Sequence, residues 1–367
     1  MWSTGIREFA LLSLAVLLMA GGAAAPAAKS TERFFWPPLP DLPRIEWLGA
    51  YTGAGDFKET GLLASILGEE SEIALISPLY LAADGNGKVY VADQGVRGVL
   101  VFDLPAKKVH AIGGPALSGH FGAPTGVALD GDGNIYVGDT FHKKITVFGK
   151  DEGMKAVFDL SKELTTIGSI AIDKSRKRIY IPDVRGHKIV VTDLGGRVAQ
   201  TIGKGRGLKD GEFTYPTSVA LDKEGNLVVC DSQNARIQRF TPDGTHLNTF
   251  GKRGDAIGEL AVIKAAAVDS EGHVYVTDGK GNRVTIFSEK GEVLLLFGGA
   301  YAQPAGAPVA PGGFLIPQGI YIDQNDTIYI VDQMNRRFQI FQYMNEKYVR
   351  EHPVEGSSPS AQQLIQK

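Results

Sequence analysis

Six aspartates recur at the same place in a repeated pattern of apolar and polar residues, and regularly spaced carboxylates could bind a metal ion. These residues are Asp93, Asp139, Asp183, Asp231, Asp278 and Asp332. Each ends an apolar run and stands before a polar loop, where a carboxylate can accept hydrogen bonds from backbone N–H groups. One metal site needs a single set of ligands, whereas a turn in every repeat explains a copy in each. We therefore interpret the six as structural residues and not as metal ligands.

Histidines are the other candidates for metal binding or acid–base chemistry. His142 and His187 follow Asp139 and Asp183 in equivalent loops, but zinc in proteins takes three or four protein ligands. The chain has no Gly-x-Ser-x-Gly, P-loop or HExxH motif. Its one cysteine, Cys230, lies in the apolar run LVVCD and is interpreted as an inert core thiol. We predict no catalytic residue, no metal and no cofactor.

A repeated unit must position these residues. It consists of an apolar strand ending in Asp, a Gly/Asn turn, a second strand ending in Asp, a polar loop with a basic residue, and a third strand. The copies span Pro78–Asp103, Pro124–Phe148, Gly168–Asp193, Pro216–Phe240, Lys264–Phe287 and Pro317–Phe341. A fourth strand follows most copies, as in HLNTFG from His246. Six such units predict an all-β fold, a six-bladed β-propeller of four-stranded antiparallel blades.

The units resemble the NHL repeat, whose consensus runs roughly P-x-G-[IV]-A-[VL]-D, then G-N-[IL]-Y-V-x-D, then N-x-R-[IV]-x-x-F. The closest copies are Pro124–Phe148 and Pro216–Phe240, and the resemblance covers about Ser77 to Phe341. Trp2, Trp36 and Trp47 all lie outside the repeats, unlike the blade tryptophans of WD40, kelch, YWTD and quinoprotein-dehydrogenase propellers. The resemblance is specific for the fold and implies little about function.

A basic residue follows each repeated aspartate, on the face that binds RNA in some NHL propellers. These residues are Arg97, Lys144, Lys188, Arg236, Arg283 and Arg337. The chain as a whole is not basic, with 38 Lys and Arg against 41 Asp and Glu. We expect no nucleic-acid partner and interpret these side chains as packing along the blade edges, with solvated or paired charges.

The resemblance also brings in the secreted amidating lyases, which are NHL-like propellers that hold zinc with several histidines at the central channel. The inner strands of this chain would begin with residues of a different kind. These are Leu79, Thr125, Ser169, Thr217, Ala265 and Gln318. The lyase activity is therefore not carried over to this chain.

The N-terminus has the pattern of a targeting segment. The apolar run Phe9–Ala20 is followed by small residues, which predicts a signal peptide over residues 1–28, cleaved between Ala24 and Ala28. An uncleaved N-terminal anchor is the alternative. Either reading places the folded part outside the cytoplasm, as a periplasmic, secreted or membrane-anchored protein.

The remaining boundaries follow from composition. Residues 29–43 form a Pro-rich extended arm, either packed on the ring or acting as a spacer, residues 44–352 form the propeller, and residues 353–367 form a disordered tail. We expect Arg44–Thr52 to add the outer strand of blade six, with Lys347–His352 as the competing candidate. The apolar spacing within Asp56–Glu70 predicts a short helix before blade one.

In a propeller, the loops that join blades share one face with the loops between second and third strands. We expect a ligand to contact this face at Phe141, His142, Arg185, His187, Tyr215, Gln233 and Arg253. The favoured function is a non-catalytic, extracytoplasmic scaffold that binds an envelope or secreted protein, a peptide or a glycan, as a monomeric propeller. The alternative is a hydrolase or lyase, lactonase-like or amidating-lyase-like, with a metal at the channel mouth. The question of enzymatic activity stays open at this point.

Overall fold

The computed structural model describes residues 33–57, 73–112 and 120–354. Its regular structure is almost entirely antiparallel β-sheet, arranged as the six predicted blades. Two strands precede the repeats, β1 (Phe34–Trp36) and β2 (Ile45–Tyr51). Each blade then begins with an inner strand, and successive inner strands contact one another around the ring. The predicted six-bladed propeller is thus confirmed.

The strands of the first three blades follow the repeat in chain order. Blade one contains β3 (Pro78–Ala83), β4 (Lys88–Asp93), β5 (Gly98–Asp103) and β6 (Lys108–Ala111). Blade two contains β7 (Pro124–Leu129), β8 (Ile135–Asp139), β9 (Lys144–Phe148) and β10 (Met154–Asp159). Blade three contains β11 (Ala171–Asp173), β12 (Arg178–Asp183), β13 (Lys188–Asp193) and β14 (Val198–Ile202).

The last three blades repeat this order, with a small addition before blade six. Blade four contains β15 (Pro216–Leu221), β16 (Leu227–Asp231), β17 (Arg236–Phe240) and β18 (His246–Phe250). Blade five contains β19 (Ile263–Val268), β20 (Val274–Asp278), β21 (Arg283–Phe287) and β22 (Val293–Phe297). The short strands β23 (Gly299–Ala300) and β24 (Gly313–Phe314) pair in parallel, and blade six contains β25 (Pro317–Ile322), β26 (Thr327–Asp332) and β27 (Arg337–Tyr343).

The core lies between neighbouring blades, which explains why the second strands are continuous apolar runs. Both faces of each blade are covered, so strands such as Ile135–Asp139 and Val274–Asp278 are buried along their whole length. One cluster of buried apolar side chains fills each junction; between blades one and two it includes Tyr90, Val127 and Phe148. Burial of these side chains is the main favourable term in the stability of the ring.

The N-terminal strand closes the ring, as the sequence predicts. Strand β2 pairs with β27 of blade six, with Trp47 opposite Phe341. The competing segment Lys347–His352 contributes instead to a short helix, α1 (Glu346–Glu351), which begins after the N-cap residue Asn345. The first and last parts of the propeller therefore share one sheet.

Part of the Pro-rich arm adds a fifth strand that the sequence did not indicate. Strand β1 pairs with the outer side of β2. Its residue Trp36 packs against Phe297 and Phe341, with ring centroids 5.9 and 5.8 Å apart. An edge position needs hydrogen bonds on one side only, so a strand can end there just before Pro37. This end of the arm is therefore packed on the ring.

The expected helix before blade one needs a correction. The α-helix that the structure describes is α1, near the C-terminus. Of the segment Asp56–Glu70, the described residues Asp56 and Phe57 belong to a 3-10 turn over Ala54–Phe57, and the rest lies outside the described residues. Within the described ranges, no helix has the length and apolarity needed to cross a bilayer.

Candidate functional site

The repeated aspartates join two loops within each blade. Asp93 accepts hydrogen bonds from the backbone N–H groups of Ile76 and Ser77, at 2.7 and 2.9 Å, in the loop that leads into blade one. It also accepts bonds from Gly95 and Val96, at 2.7 and 3.1 Å, in the loop after its own strand. All six aspartates are buried. These contacts are those of a structural residue that fixes the loops of one face, which we call the upper face.

In blades four and six, an arginine side chain donates to the repeated aspartate, in addition to the backbone N–H groups of the loops. Arg236 and Arg337 donate from Nε to Asp231 and Asp332, at 2.8 and 2.7 Å. Arg236 also donates to the carbonyl oxygens of Lys209 and Glu212 in the joining loop, at 3.0 and 2.9 Å. The basic residue of the repeat thus tethers a joining loop in these blades and is not free to bind a phosphate.

Hydrogen bonds to the charged form act on the pKa of Asp139. Burial raises this pKa, but bonds from the backbone N–H groups of His142, Gly122 and Ala123 outweigh burial and lower it. His142 Nδ1 lies 3.1 Å from Asp139 Oδ2. His142 is therefore held by the structural carboxylate of its own blade. In the described part of the chain, no group of three or more His, Cys, Asp or Glu side chains is placed to hold a metal ion.

The structure brings some of the predicted rim residues together. The backbone N–H of Tyr215 donates to His187 Nδ1 at 3.1 Å, and their rings meet edge to face at 5.0 Å. Arg253 donates to the carbonyl oxygen of Gln233. Both contacts cross from a second-to-third-strand loop to the neighbouring joining loop. They form two pairs on the upper face rather than one pocket.

The other predicted rim residues stand apart from these pairs. Phe141 and His142 pack edge to face at 5.0 Å in blade two, and Arg185 is exposed in the loop that follows β12. None of the seven residues lines a described cavity. Their role as a binding surface stays a prediction.

A further feature of the upper face escaped sequence reasoning. Large apolar side chains stand exposed on its loops, and the most exposed are Ile257 at 84% and Leu208 and Phe141 at 73%. The exposed side chains on this face include Ile76, Phe141, Leu208, Tyr215, Ile257, Val309 and Met334. The available signal was a single apolar residue within a charged, Gly-rich loop, as in GRGLKDGE and RGDAIGE. Apolar side chains are also exposed on the outer strands, as at Met154 and Leu247, but Ile257 and Leu208 on this face are more exposed than these. Protruding apolar side chains of this kind are candidates for an interaction site.

The two loops that carry Leu208 and Ile257 are built alike and are held firmly. Glu212 accepts a hydrogen bond from the backbone N–H of Lys209 at 3.0 Å, and Glu259 accepts one from Ala256 at 3.1 Å. The next residue in each loop, Phe213 or Leu260, is fully buried. The carboxylate and the buried anchor fix each loop, so its exposed apolar residue is presented at a defined position.

Comparison with known proteins identifies the repeat. The sequence model of the NHL repeat matches residues 213–240, which span the start of blade four and its first three strands. This chain is an NHL-repeat propeller. NHL repeat-containing protein 2 from Gallus gallus is 33% identical over 106 residues. That match spans 25% of this chain and 14% of the chicken protein.

Solved structures similar to this NHL-repeat propeller have different activities. Virginiamycin B lyase from Staphylococcus aureus has a TM-score of 0.52 and 15% identity, covering 81% of this chain and 99% of the lyase. An auxiliary nutrient binding protein from Bacteroides thetaiotaomicron has a TM-score of 0.57 and 12% identity, covering 74% of this chain and 70% of that protein. At these identities the similarity shows the fold alone.

The axis of the NHL-repeat propeller contains a cavity of about 220 Å³. It is lined by inner strands of all six blades, mostly by apolar side chains together with the hydroxyls of Tyr80, Ser169, Ser218 and Tyr321 and the side chain of Lys174. The hydroxyl of Tyr80 donates to the carbonyl oxygen of Thr217 at 3.0 Å. Because Thr217 lies at the start of its inner strand, this bond spans the axis on the upper side of the cavity.

Proposed function

We propose that this NHL-repeat propeller is a non-catalytic binding scaffold that works outside the cytoplasm and binds a protein partner through its upper face. The observation that carries the proposal is the set of exposed apolar side chains on loops fixed by buried carboxylates and arginines. Burial of Leu208 and Ile257 on binding would cost little conformational entropy, because their loops are already ordered. A few side chains buried at the centre of an interface supply most of its binding energy.

The chemistry of the upper face favours a protein over a glycan. Tyr215, Phe141 and Arg253 stand exposed among the aliphatic side chains, and Tyr, Phe and Arg are enriched at protein interfaces. Exposed charges of both signs surround them, including Lys204, Lys209, Lys252 and Arg185 and also Asp210 and Asp255. A partner with a mixed-charge rim around an apolar centre would match this surface.

The location outside the cytoplasm rests on the sequence of the N-terminus. Residues Phe9–Ala20 and the small residues after them have the pattern of a secretory signal. The mature protein would begin shortly before the arm that packs against blade six.

The enzymatic alternative is a lyase or hydrolase that acts at the central channel. The fold is compatible with such a function, since virginiamycin B lyase has a similar fold. The side chains around the axial cavity offer hydroxyls and one amine, but no carboxylate or imidazole among the residues that line it. Histidine and carboxylate side chains, which most often act in acid–base catalysis and metal binding, are therefore not found in this lining. The binding scaffold is therefore the better supported function.

The test compares two double variants of the purified protein. Leu208→Ser with Ile257→Ser removes apolar contact from the upper face, and Met154→Ser with Leu247→Ser removes apolar side chains that are also exposed, at 52% and 45%, from outer strands. The wild type and both variants are immobilised and exposed to the envelope fraction of the source organism. We expect a partner retained by the wild type and the outer-strand variant, and lost from the upper-face variant. Equal capture by all three, or turnover of lactone, ester or peptide-amide substrates, would overturn the proposal.

A further inference from the structure

A polar site lies on the opposite, lower face, beside the place where strand β2 pairs with β27 and closes the ring. Two adjoining cavities of about 120 and 340 Å³ share Arg44, Glu271 and Tyr343 in their walls. We call them together the seam cleft. The larger cavity is also lined by His273 and by the apolar side chains of Ile286, Leu294 and Leu295.

His273 occupies a repeat position that elsewhere needs only an asparagine. In blades two and four, Asn134 and Asn226 donate from Nδ2 to Asp130 and Asp222, at 2.7 and 3.0 Å. In blade five, His273 Nδ1 makes the same bond to the equivalent aspartate, at 2.8 Å. Asparagine would satisfy the hairpin, so the histidine adds something the fold does not require: a second ring nitrogen, Nε2, on a side chain that lines a cleft.

The surroundings of His273 hold its ring in one orientation. Asp269 is fully buried and accepts hydrogen bonds from His273 Nδ1 and from the Tyr275 hydroxyl, at 2.8 and 3.0 Å. The imidazole packs edge to face on Tyr343 at 5.6 Å, and about a quarter of the side chain (24%) stays exposed. With Nδ1 bonded to a carboxylate, Nε2 is the nitrogen left to meet a ligand.

Two cationic groups and three carboxylates set the charge of the cleft. Arg44, His273, Glu271 and Glu346 line its walls, and Asp269 is bonded to His273. Arg44 lies close enough for its positive charge to lower the pKa of His273, although the bond to Asp269 dominates and raises it. Glu271 accepts a hydrogen bond from the Tyr343 hydroxyl at 2.9 Å. An anion bound here would meet Arg44 and a protonated His273, while the Glu271 carboxylate is engaged by the Tyr343 hydroxyl.

We propose that the seam cleft binds a carboxylate attached to an apolar chain, with the carboxylate on Arg44 and His273 and the chain against Ile286, Leu294 and Leu295. Arginine and imidazolium both form charge-assisted hydrogen bonds with carboxylates. A cleft with an apolar wall and a few converging polar groups is the usual form of a small-ligand site. The chemistry fits a free medium-chain fatty acid or an apolar C-terminal residue of a polypeptide.

The test titrates the purified full chain with octanoate by isothermal calorimetry. We expect one saturable site at about pH 6 and binding at least about tenfold weaker at about pH 9, where His273 has lost its proton. His273→Asn keeps the hydrogen bond to Asp269 and should keep the cooperative unfolding of the wild type. It should weaken octanoate binding about tenfold at the lower pH, and Arg44→Gln should do the same. Asn134→His is the matched control: it builds an Asp–His pair in blade two, where Tyr136 also donates to Asp130, without Arg44, and should add no second site.

Two further ligands separate the possible sources. An acetylated peptide that ends in a leucine carboxylate tests the polypeptide source, and octanol tests whether the charge is needed. Tighter binding of the peptide than of octanoate would assign the site to a chain terminus, and the reverse would assign it to a fatty acid. Absence of saturable binding by both acids, equal binding of octanol, or binding unchanged in His273→Asn and Arg44→Gln would overturn the proposal. Leu208→Ser with Ile257→Ser should leave octanoate binding unchanged, so the two proposals stand or fall separately.

Discussion

Tyr80 of blade one and Thr217 of blade four are joined across the axis of the propeller, from the tyrosine hydroxyl to the threonine carbonyl oxygen, at 3.0 Å. The same hydroxyl lies 3.3 Å from the carbonyl oxygen of Lys264 in blade five. Burial raises the pKa of Tyr80 far above its ordinary value, so the hydroxyl remains a donor at every pH the protein would meet. One side chain thus connects three of the six blades.

Tyr80→Phe tests this connection. The loss of a buried hydrogen bond that leaves carbonyl groups with fewer donors should reduce the free energy of unfolding by about 1–3 kcal/mol. Tyr321→Phe, which removes a hydroxyl from the lining of the same cavity, is the control and should cost less. Urea denaturation of both variants measures the difference. Equal losses would show that the bond across the axis adds nothing specific.

The buried pair Asp332–Arg337 makes the second prediction. Arg337 is 1% exposed, and its loss would leave Asp332 buried without its charge partner. Arg337→Met should therefore cost about 3–5 kcal/mol of unfolding free energy. The corresponding Arg236→Met in blade four should cost less, because Arg236 is 11% exposed and its removal lets water approach Asp231. Chemical denaturation measures both losses. A larger loss of unfolding free energy in Arg236→Met than in Arg337→Met would show that burial of the arginine does not set the cost.

The bond between His273 and Asp269 predicts a pH dependence of stability. The hydrogen bond to Asp269 raises the pKa of His273. A raised folded-state pKa stabilises the protein fully below the unfolded value of about 6.5 and ceases to do so as the pH rises through the folded value. The wild type should therefore lose stability relative to His273→Asn above about pH 6.5. Denaturation of both proteins across this range is the measurement, and parallel pH profiles would exclude the contribution.

Trp36 provides a test of the packed arm. Its ring contacts Phe297 of blade five and Phe341 of blade six, so Trp36→Ala should cost about 1–3 kcal/mol through lost aromatic contacts and burial. Phe34→Ala, on the same strand, removes an edge-to-face contact with Trp47 at 6.1 Å and should cost less. Thermal unfolding distinguishes the two. If Trp36→Ala left the melting temperature unchanged, the arm would not contribute to the closure of blades five and six.

The fold could be predicted because every blade repeats the same local signals. Period-2 strands, turn glycines and the recurring aspartate all point to one unit, and the alternation in Ile45–Tyr51 matched the missing outer strand of blade six. The secondary structure of Lys347–His352 was harder to predict, since six residues carry too little periodicity to separate a strand from a helix. The decisive signal was Asn345, whose Oδ1 accepts from the N–H of Tyr348 at 2.9 Å and caps α1.

The sites were less accessible to sequence reasoning because they depend on tertiary contacts. Tyr215 and His187 could be placed on one face from the repeat, but their contact depends on the path of the joining loop. The exposure of Leu208 and Ile257 depends on Phe213 and Leu260 being buried in their place. Arg44 and His273 line the same cleft because the first strand of the propeller returns to blade six, beside blade five. The sequence predicted that return but not the cleft that it forms.

That return has a consequence for how the protein is made. Strand β2 is among the first parts of the propeller to be synthesised, and its partner β27 is among the last. A chain exported in an unfolded state would carry β2 without its partner until the final blade has crossed the membrane. The exposed edge of β2 would be available to other chains during that interval. The slow step in biogenesis should therefore be the meeting of the two ends, and truncation within blade six should leave the whole ring open rather than shorten it by one blade.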